Sequence, residues 1–299
     1  MKKILITGGT GTIGQHLITK LSDSANENIE ICILTRSPKS DNEYKWDIKK
    51  GEIDLDVLDA THIVHLAGAG VADERWTEHR KRVILESRTE STKLLYDQFK
   101  DSKHLQAFVS ASAIGYYGFG DSEETFKEDS KPGDDFLAEV TKAWENEVFQ
   151  FEKKGFRTAA IRIGIVLSKE GGALPKITEP IKFCVGAPLG SGKQMMSWVH
   201  VDDLVSIFEH VLKDEKVKGA FNAVAPNPVS NKAFTKLAAQ AMNKPLILPN
   251  VPSFVLKIML GEMSEMVLKG SKVSSDKIEN TGFRFEHKKL ETALEDLLK

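Results

Sequence analysis

The sequence predicts an α/β fold, a doubly wound parallel sheet followed by a smaller mixed C-terminal lobe. Three observations predict it. Near-continuous apolar runs of strand length alternate with amphipathic, helix-length segments through the first half of the chain. A glycine-rich turn, GGTGTIG, joins the first of those runs to the first helical segment. After residue 168 the alternation gives way to glycine- and proline-rich chain.

The expected strands are KILIT (3–7), IEICILT (29–35), HIVHLAG (62–68), AFVSAS (107–112) and RTAAIRIGIVL (157–167). Helices are expected over Gly14–Ser22, Glu78–Lys100 and Phe136–Lys154. Right-handed crossovers put such helices on both faces of one sheet. In the long helix, Val83, Ile84, Ser91, Leu94, Leu95 and Phe99 form a stripe near the 3.6-residue period, which reads as a sheet-packing face.

Residues 168–200 read as an irregular crossing segment that bounds a substrate pocket, with Trp198 and His200 between two lobes. VDDLVSIFEHVL reads as a helix, GAFNAVAP as a strand, and SNKAFTKLAAQAM as a helix with a Ser230 or Asn231 cap. The expected domains are 1–221, binding a dinucleotide, and 222–299, a small lobe ending in the helix HKKLETALEDLLK. The methionine-rich stretch VLKIMLGEMSEMVLKG reads as a core helix, with a ligand cavity or a partner groove as alternatives.

Apolar residues make up 41% and charged residues 28% of the 299 residues, an ordinary composition for a globular chain. A formal net charge of −2 supplies no field for nucleic acid or an anionic membrane surface. No apolar run approaches the roughly 18 residues that span a bilayer. Ile4–Ile6 is also too short for a signal sequence before the glycines break it. Cys32 and Cys184 sit far apart in apolar contexts and read as two free thiols in a reducing compartment, with one disulfide as the alternative. The expected location is cytoplasmic.

In GGTGTIG, Gly9, Gly11 and Gly14 satisfy G-x-G-x-x-G, while Gly8, Gly11 and Gly14 satisfy G-x-x-G-x-x-G. Placed between a strand and a helix, such glycines let backbone amides approach a pyrophosphate at the positive end of the helix. This is the Rossmann-like arrangement. An NAD site commonly carries a carboxylate at the end of the second strand to hold the ribose hydroxyls. Here Thr35 stands in that place and Arg36 follows, with Lys39 nearby. A hydroxyl beside a guanidinium suits a ribose 2′-phosphate, so the expected cofactor is NADP(H).

GGTGTIG, HLAGAG, FVSASAIGYYG and WVHVDDL together resemble the extended short-chain dehydrogenase/reductase superfamily. RWTEHRKRVILESR, DFLAEVTKAWE, RIGIVLSKEGGAL, GSGKQMMSWVHVDDL and FNAVAPNPVSNKAF are similar to the epimerase-family proteins of its atypical branch. The C-terminal remainder resembles the small domain that ends that family. The resemblance implies a cofactor lying along Gly8, Thr10, Gly11, Thr12, Ile13 and Gly14, then Thr35 and Arg36, then Leu66, Ala67 and Gly68. Arg88 matches a family cofactor position, the alternative being a solvated helix-face arginine. Asp47 stands where an acidic residue approaches adenine.

In catalytic members of the superfamily a tyrosine is the acid/base, a lysine four residues later lowers its pKa, and a serine on the preceding strand binds the reacting oxygen. A phenol near pKa 10 needs such a cation to exchange protons at neutral pH. Lys142 lies in the matching helix here, but Ala138 occupies the tyrosine's place. Ser112 matches the serine. Tyr116 and Tyr117 follow it, either substituting for the missing phenol or forming aromatic walls. Lys142 either touches the nicotinamide ribose or is solvated. His200, with Asp202 or Asp203 beside it, is either a general base or a structural corner. The histidines show no metal-ligand spacing, and no metal is expected. The reading is therefore an NADP(H)-dependent oxidoreductase or epimerase-like enzyme acting on a small molecule. A sugar nucleotide is suggested by kinship alone. The alternatives are a non-catalytic NADP(H)-binding regulator and a scaffold without cofactor. The long helix fits equally a monomer's surface or half of a homodimer bundle.

Overall fold

The computed structural model describes residues 2–23, 28–120 and 124–299. The sheet begins with β1 (Lys2–Thr7), whose inner residues are wholly buried, followed by helix α1 (Thr12–Ser22). Then come β2 (Ile29–Thr35), β3 (Glu43–Asp47), β4 (Glu52–Ile53) and β5 (His62–His65). Helix α2 (Glu78–Phe99) leads to β6 (Ala107–Ala113) and the short β7 (Thr125–Phe126). Next are α3 (Phe136–Val148), α4 (Gln150–Lys153), β8 (Arg157–Ile163) and β9 (Ile165–Leu167). The eight-stranded sheet runs β12-β8-β6-β5-β1-β2-β3-β4, where β12 is Gly219–Ala223, and every pair is parallel except β3 with β4. Helix α1 packs on α6 (Val201–Lys213) and α2 packs on α3, so the two helix pairs form separate layers over an apolar sheet.

Between β9 and α6 lie α5 (Ala173–Lys182), β10 (Met195–Met196) and β11 (Trp198–His200). The C-terminal part adds β13 (Val229–Ser230), α7 (Asn231–Ala241), α8 (Ser253–Leu260), α9 (Glu265–Leu268), β14 (Lys272–Val273), α10 (Asp276–Asn280) and α11 (Leu290–Leu298). Ser230 caps α7 by accepting the Ala233 N–H at 3.2 Å, as its sequence pattern implies. A second core joins α5, α7 and α11 through Leu174, Ile181, Phe234, Ala238, Leu290 and Leu294. Among the described residues no helix is long and apolar enough to cross a membrane. Both cysteines are free thiols.

Six expectations change. The run 157–167 is two strands, because a Cβ at Gly164 would stand 2.5 Å from the Ser197 carbonyl oxygen. The chain leaves the sheet there, and β9 pairs with β11. The strand over 62–68 stops at His65, where Leu66 and Ala67 turn their N–H groups onto the Thr7 hydroxyl. The helix over 136–154 breaks at Phe149, whose ψ of 0° departs from the helix. The irregular segment contains α5 despite Pro175 and Pro180, since Leu174 and Ile181 have a core to enter. The methionine-rich stretch is no core helix: α8 leaves Phe254, Ile258 and Met259 at 65, 73 and 64% exposure. The boundary expected between 221 and 222 also falls inside β12, which pairs with β8 in the main sheet.

The loop between β1 and α1 allows no side chain at Gly14. A Cβ there would meet the Gly8 carbonyl oxygen and lie 2.6 Å from Gly9 Cα, both backbone atoms that cannot yield. Gly14→Ala should therefore destabilise the fold by about 1–3 kcal/mol in urea unfolding. Gly11→Ala, whose Cβ meets only the Gly8 carbonyl oxygen at 3.4 Å, should stay within about 0.5 kcal/mol of the parent. Equal losses would overturn this account of the loop.

Candidate functional site

Strand order reverses direction of growth between β1 and β5, and the crevice above their C-terminal ends is the topological switch point of the sheet. The glycine loop lines it. Gly8 has φ +70°, and a Cβ there would lie 2.9 Å from the Leu66 carbonyl carbon. The Gly11 N–H donates to the Gly8 carbonyl at 3.0 Å, closing the turn. Gly11 then caps α1 with no side chain. The first-turn N–H groups of Thr12, Ile13 and Gly14 are thus left for an anion, at the positive end of an eleven-residue helix.

A buried relay fixes this crevice. The Thr7 hydroxyl accepts the Leu66 and Ala67 N–H groups at 3.1 and 3.2 Å, and so must donate its own proton to His65 Nδ1 at 2.7 Å. His65 Nε2–H then donates to Ser91 Oγ at 3.2 Å, and Ser91 passes its proton to the Ser87 carbonyl at 2.7 Å. Each member has one consistent donor direction. Burial, aided by the Arg88 charge, pulls the His65 pKa down to about 3, so the ring stays neutral.

Arg88 is no solvated helix-face residue. Its guanidinium lies against Gly68, where a Cβ would stand 3.2 Å from Cζ. Nη1 donates to the Ala69 and Ile84 carbonyls at 3.0 and 2.9 Å, and Cζ sits 5.2 Å from the Trp144 ring centroid. Burial lowers its pKa to about 10. The Leu66–Gly68 turn therefore rests on a fixed cation. At the end of β2, Thr35 is half-buried, and Arg36 is exposed with no partner among the described residues. Asp47, by contrast, folds back on its own turn, accepting the Lys49 and Lys50 N–H groups at 3.0 and 3.2 Å.

At the end of β6 the expected catalytic residues fall into different environments. Ser112 is buried and its hydroxyl donates to Glu145 Oε1 at 2.6 Å. Glu145 is held by Arg162 through two bonds of 2.8 Å, from Nε to Oε1 and from Nη2 to Oε2. Arg162 Nη1 donates to the Tyr117 hydroxyl at 2.9 Å, and Tyr117 donates to Asn222 Oδ1 at 2.7 Å. Burial raises the Tyr117 pKa to about 12 against the opposing pull of Arg162, so this phenol holds its proton at neutral pH. Burial also works against the Arg162 charge, but the Glu145 hydrogen bonds and charge raise its pKa overall. Tyr116 differs. It is half-buried, its ring lies 3.5 Å from Arg162 Cζ, and its hydroxyl has no partner among the described residues. Ala138 is wholly buried, while Lys142, one turn on, is exposed and unpartnered among those residues.

Sequence reasoning missed Glu145, Arg162 and Asn222. The signal was present: Arg162 interrupts an apolar strand run, and a charge inside a buried strand requires a partner. A cleft of about 500 Å³ is walled by Trp76, Phe119 and Phe136 with Asp135, Lys257 and Glu262 at its edges, and its Asp135 lies against Gly118, the residue after Tyr117. It continues past Phe119 to Lys193, Gln194 and Lys269.

Trp198 and His200, expected to bound the pocket, are buried instead. The wall comes from Ser191, Lys193, Gln194 and Met195, just before them. His200 caps α6, its Nδ1 accepting the Asp202 N–H at 3.1 Å. Its ring stacks on His287 with centroids 3.8 Å apart, and Asp203 accepts the Glu286 and His287 N–H groups. Burial, then the His287 charge, lowers the His200 pKa. These are the contacts of a corner tying α6 to the C-terminal segment. His200, Asp202, His287 and Asp296 bring metal-ligating atoms within 4.8 Å of one another, a grouping no local spacing reveals. His200 Nδ1 is committed to the Asp202 N–H, while Nε2 stands 3.3 Å from Asp296 Oδ2.

Two measurements test these networks. Glu145→Gln leaves Arg162 buried without a counter-charge and should cost about 3–5 kcal/mol in urea unfolding, with Glu145→Gln/Arg162→Met recovering much of it. For His65 the folded pKa is depressed and the unfolded value is near 6.5, so the unfolded chain binds the proton first. Stability contributed by the neutral ring is thus complete above pH 6.5 and falls towards pH 3 by about 1.4 kcal/mol per pH unit. The difference in unfolding free energy between the parent and His65→Gln should shrink on going from pH 7 to pH 5, and a constant difference would contradict the relay.

Comparison with known proteins supports the fold and the loop together. Residues 4–223 match the NAD dependent epimerase/dehydratase family, and residues 251–297 match a domain of unknown function, DUF1731. An epimerase family protein of Staphylococcus aureus is 38% identical, with all of both chains covered. The crystal structure of the human epimerase family protein SDR39U1 with NADPH superimposes with a TM-score of 0.88 at 28% identity, covering 99% of each chain. A nucleoside-diphosphate sugar epimerase from Corynebacterium glutamicum superimposes with a TM-score of 0.82 at 31% identity, covering 99% of this chain and 58% of that one. A glycine loop at the switch point of a parallel sheet, with a relative matched from end to end, leads to one conclusion: the chain belongs to the NAD dependent epimerase/dehydratase family.

Proposed function

We propose that the protein binds NADP(H) and acts as an oxidoreductase or epimerase-like enzyme on a small molecule held in the cleft walled by Trp76, Phe119 and Phe136. The observation that carries the cofactor reading is the pairing of a side-chain-free loop with an unpartnered guanidinium. Gly8 and Gly14 let backbone pack where a Cβ would clash, so the loop closes with the first turn of α1 uncapped by any side chain, and Arg36 stands beside Thr35 with no partner among the described residues. A 2′-phosphate matches the guanidinium fork, whereas a ribose diol alone is commonly held by a carboxylate that this strand end lacks. The human relative, crystallised with NADPH, supports the same choice.

The nicotinamide, when bound, supplies or takes a hydride. The chain's own residues do the rest. The first-turn N–H groups of α1 hold the pyrophosphate. The Thr7–His65–Ser91 relay and Arg88 keep the Leu66–Gly68 turn in place beneath the cofactor. Tyr116 is the phenol available to give or take a proton at the substrate oxygen, with its ring held on the Arg162 guanidinium. Lys142 is free to approach the nicotinamide ribose. Ser112 and Tyr117, bound inside the Glu145–Arg162 network, position Tyr116 and do not touch the substrate. A buried alanine at position 138 favours the second reading, a cofactor-binding protein without turnover.

At a hundredfold excess over its dissociation constant, NADPH should stabilise the fold by about 2.7 kcal/mol, well beyond NADH, and Arg36→Ala should erase the difference. Equal shifts from both cofactors would sink the NADP(H) reading. Fractionated cell extract should contain a component that oxidises bound NADPH or is isomerised, and Tyr116→Phe should abolish that turnover while leaving the NADPH shift intact. Extract that never consumes NADPH nor yields an isomer would leave the non-catalytic reading standing.

A further inference from the structure

The lining of the cleft discriminates between classes of substrate, an inference that rests on the cleft being the substrate site. Its walls are aromatic. Trp76 and Phe136 meet edge to face with centroids 5.0 Å apart, and Trp76 is fixed by Nε1 donation to the Val71 carbonyl at 2.8 Å. Phe119 forms the third wall and joins the two halves of the cleft. Most charges around these rings are already spent. Glu262 pairs with Lys81 at 2.5 Å and Glu265 with Lys269 at 3.1 Å.

A nucleoside diphosphate needs guanidinium forks, open helix N-termini or a nest of N–H groups. Among the described residues no arginine lines either half of the cleft, and the Arg75 guanidinium at its rim, 3.8 Å from a Cβ built on Gly261, already donates to the Ile258 carbonyl at 2.7 Å. The helix N-terminus that faces it, that of α3, is filled by the chain's own carboxylate, since Asp135 Oδ1 accepts the Ala138 N–H at 3.0 Å. A phosphate arriving there meets a negative charge where a donor is required. The remaining lining cations, Lys257 and Lys193, are matched in number by Asp135 and Glu124. The helix that supplies Lys257 also exposes Phe254, Ile258 and Met259. The approach to the cleft therefore carries apolar surface as well.

We propose that the cleft takes an uncharged molecule bearing a flat apolar ring and rejects nucleoside diphosphates. Ring burial between Trp76, Phe119 and Phe136 provides the affinity. The rejection comes from the carboxylate at the α3 N-terminus and from a lining without arginine among the described residues, the Arg75 guanidinium at the rim being bound to the Ile258 carbonyl.

The test is calorimetric titration of the NADPH-loaded protein with 2-acetylnaphthalene, an uncharged bicyclic ketone, and separately with UDP-glucose. The ketone should bind at a single saturable site, weakened about tenfold by Phe136→Ser and by Phe119→Ser. UDP-glucose should release no binding heat and should not displace the ketone. Tighter binding of UDP-glucose, its displacement of the ketone, a ketone isotherm that never saturates, or affinity unchanged in both serine variants would each overturn the proposal. The NADPH thermal shift, recorded on every variant, shows that fold and cofactor site are intact. No turnover is measured, so a failure of the enzyme reading is separable from a failure of the ring pocket.

Discussion

The buried ion pair between Arg162 on β8 and Glu145 on α3 is the contact on which the functional end of the molecule depends. Both side chains are nearly sealed from solvent, and neither charge is tolerable there without the other. Their pairing commits the rest of the polar groups nearby. Ser112 completes Glu145, Tyr117 and the Glu128 carbonyl complete Arg162, and Asn222 links Tyr117 to the Ser274 carbonyl. One chain of bonds thus runs from β6 through α3, β8 and β12 to the C-terminal segment.

That commitment also separates the roles of residues that look alike in sequence. Tyr116 and Tyr117 are neighbours, yet one is sealed against Asn222 and the other keeps an unengaged hydroxyl. A short helical turn, Ile114–Tyr117, sets the two rings edge to face with centroids 5.5 Å apart, and the Arg162 guanidinium packs against both. The same logic operates at the other end of the crevice. Thr7, His65 and Ser91 form a relay in which every proton has one place to go, and the result is a rigid seat for the Leu66–Gly68 turn.

Much of the architecture was legible because it rests on local rules. The runs at 29–35 and 107–112 are strands within a residue, since fully buried parallel strands must be apolar throughout. Helix α2 ends within a residue of its expected bound because Thr77 caps it and Phe99 closes its stripe. The loop glycines were legible for a similar reason: only glycine fits where backbone meets backbone. Elements failed where a distant partner overruled local chemistry. Gly164 breaks an apolar run because Ser197 and Val224 press on it. Helix α5 survives two prolines because its apolar side faces α7. The apolar face of α8 is exposed although its composition suggests a core.

The sequence by itself determined the doubly wound α/β class, the glycine loop between strand and helix and the absence of a phenol at position 138. Each follows from residue type and spacing over a few turns of chain. Only the tertiary structure decided which polar residues near the loop and sheet edge are held and which are free. Among the described residues, Arg88 is committed beneath Gly68 while Arg36 has no partner, and Ser112 answers to Glu145 while the Tyr116 hydroxyl answers to nothing. The physical reason is that a buried polar group takes its partner from whatever the fold brings within about 3 Å, and the partner of Arg162 lies 17 residues away and that of Tyr117 105 residues away in the chain.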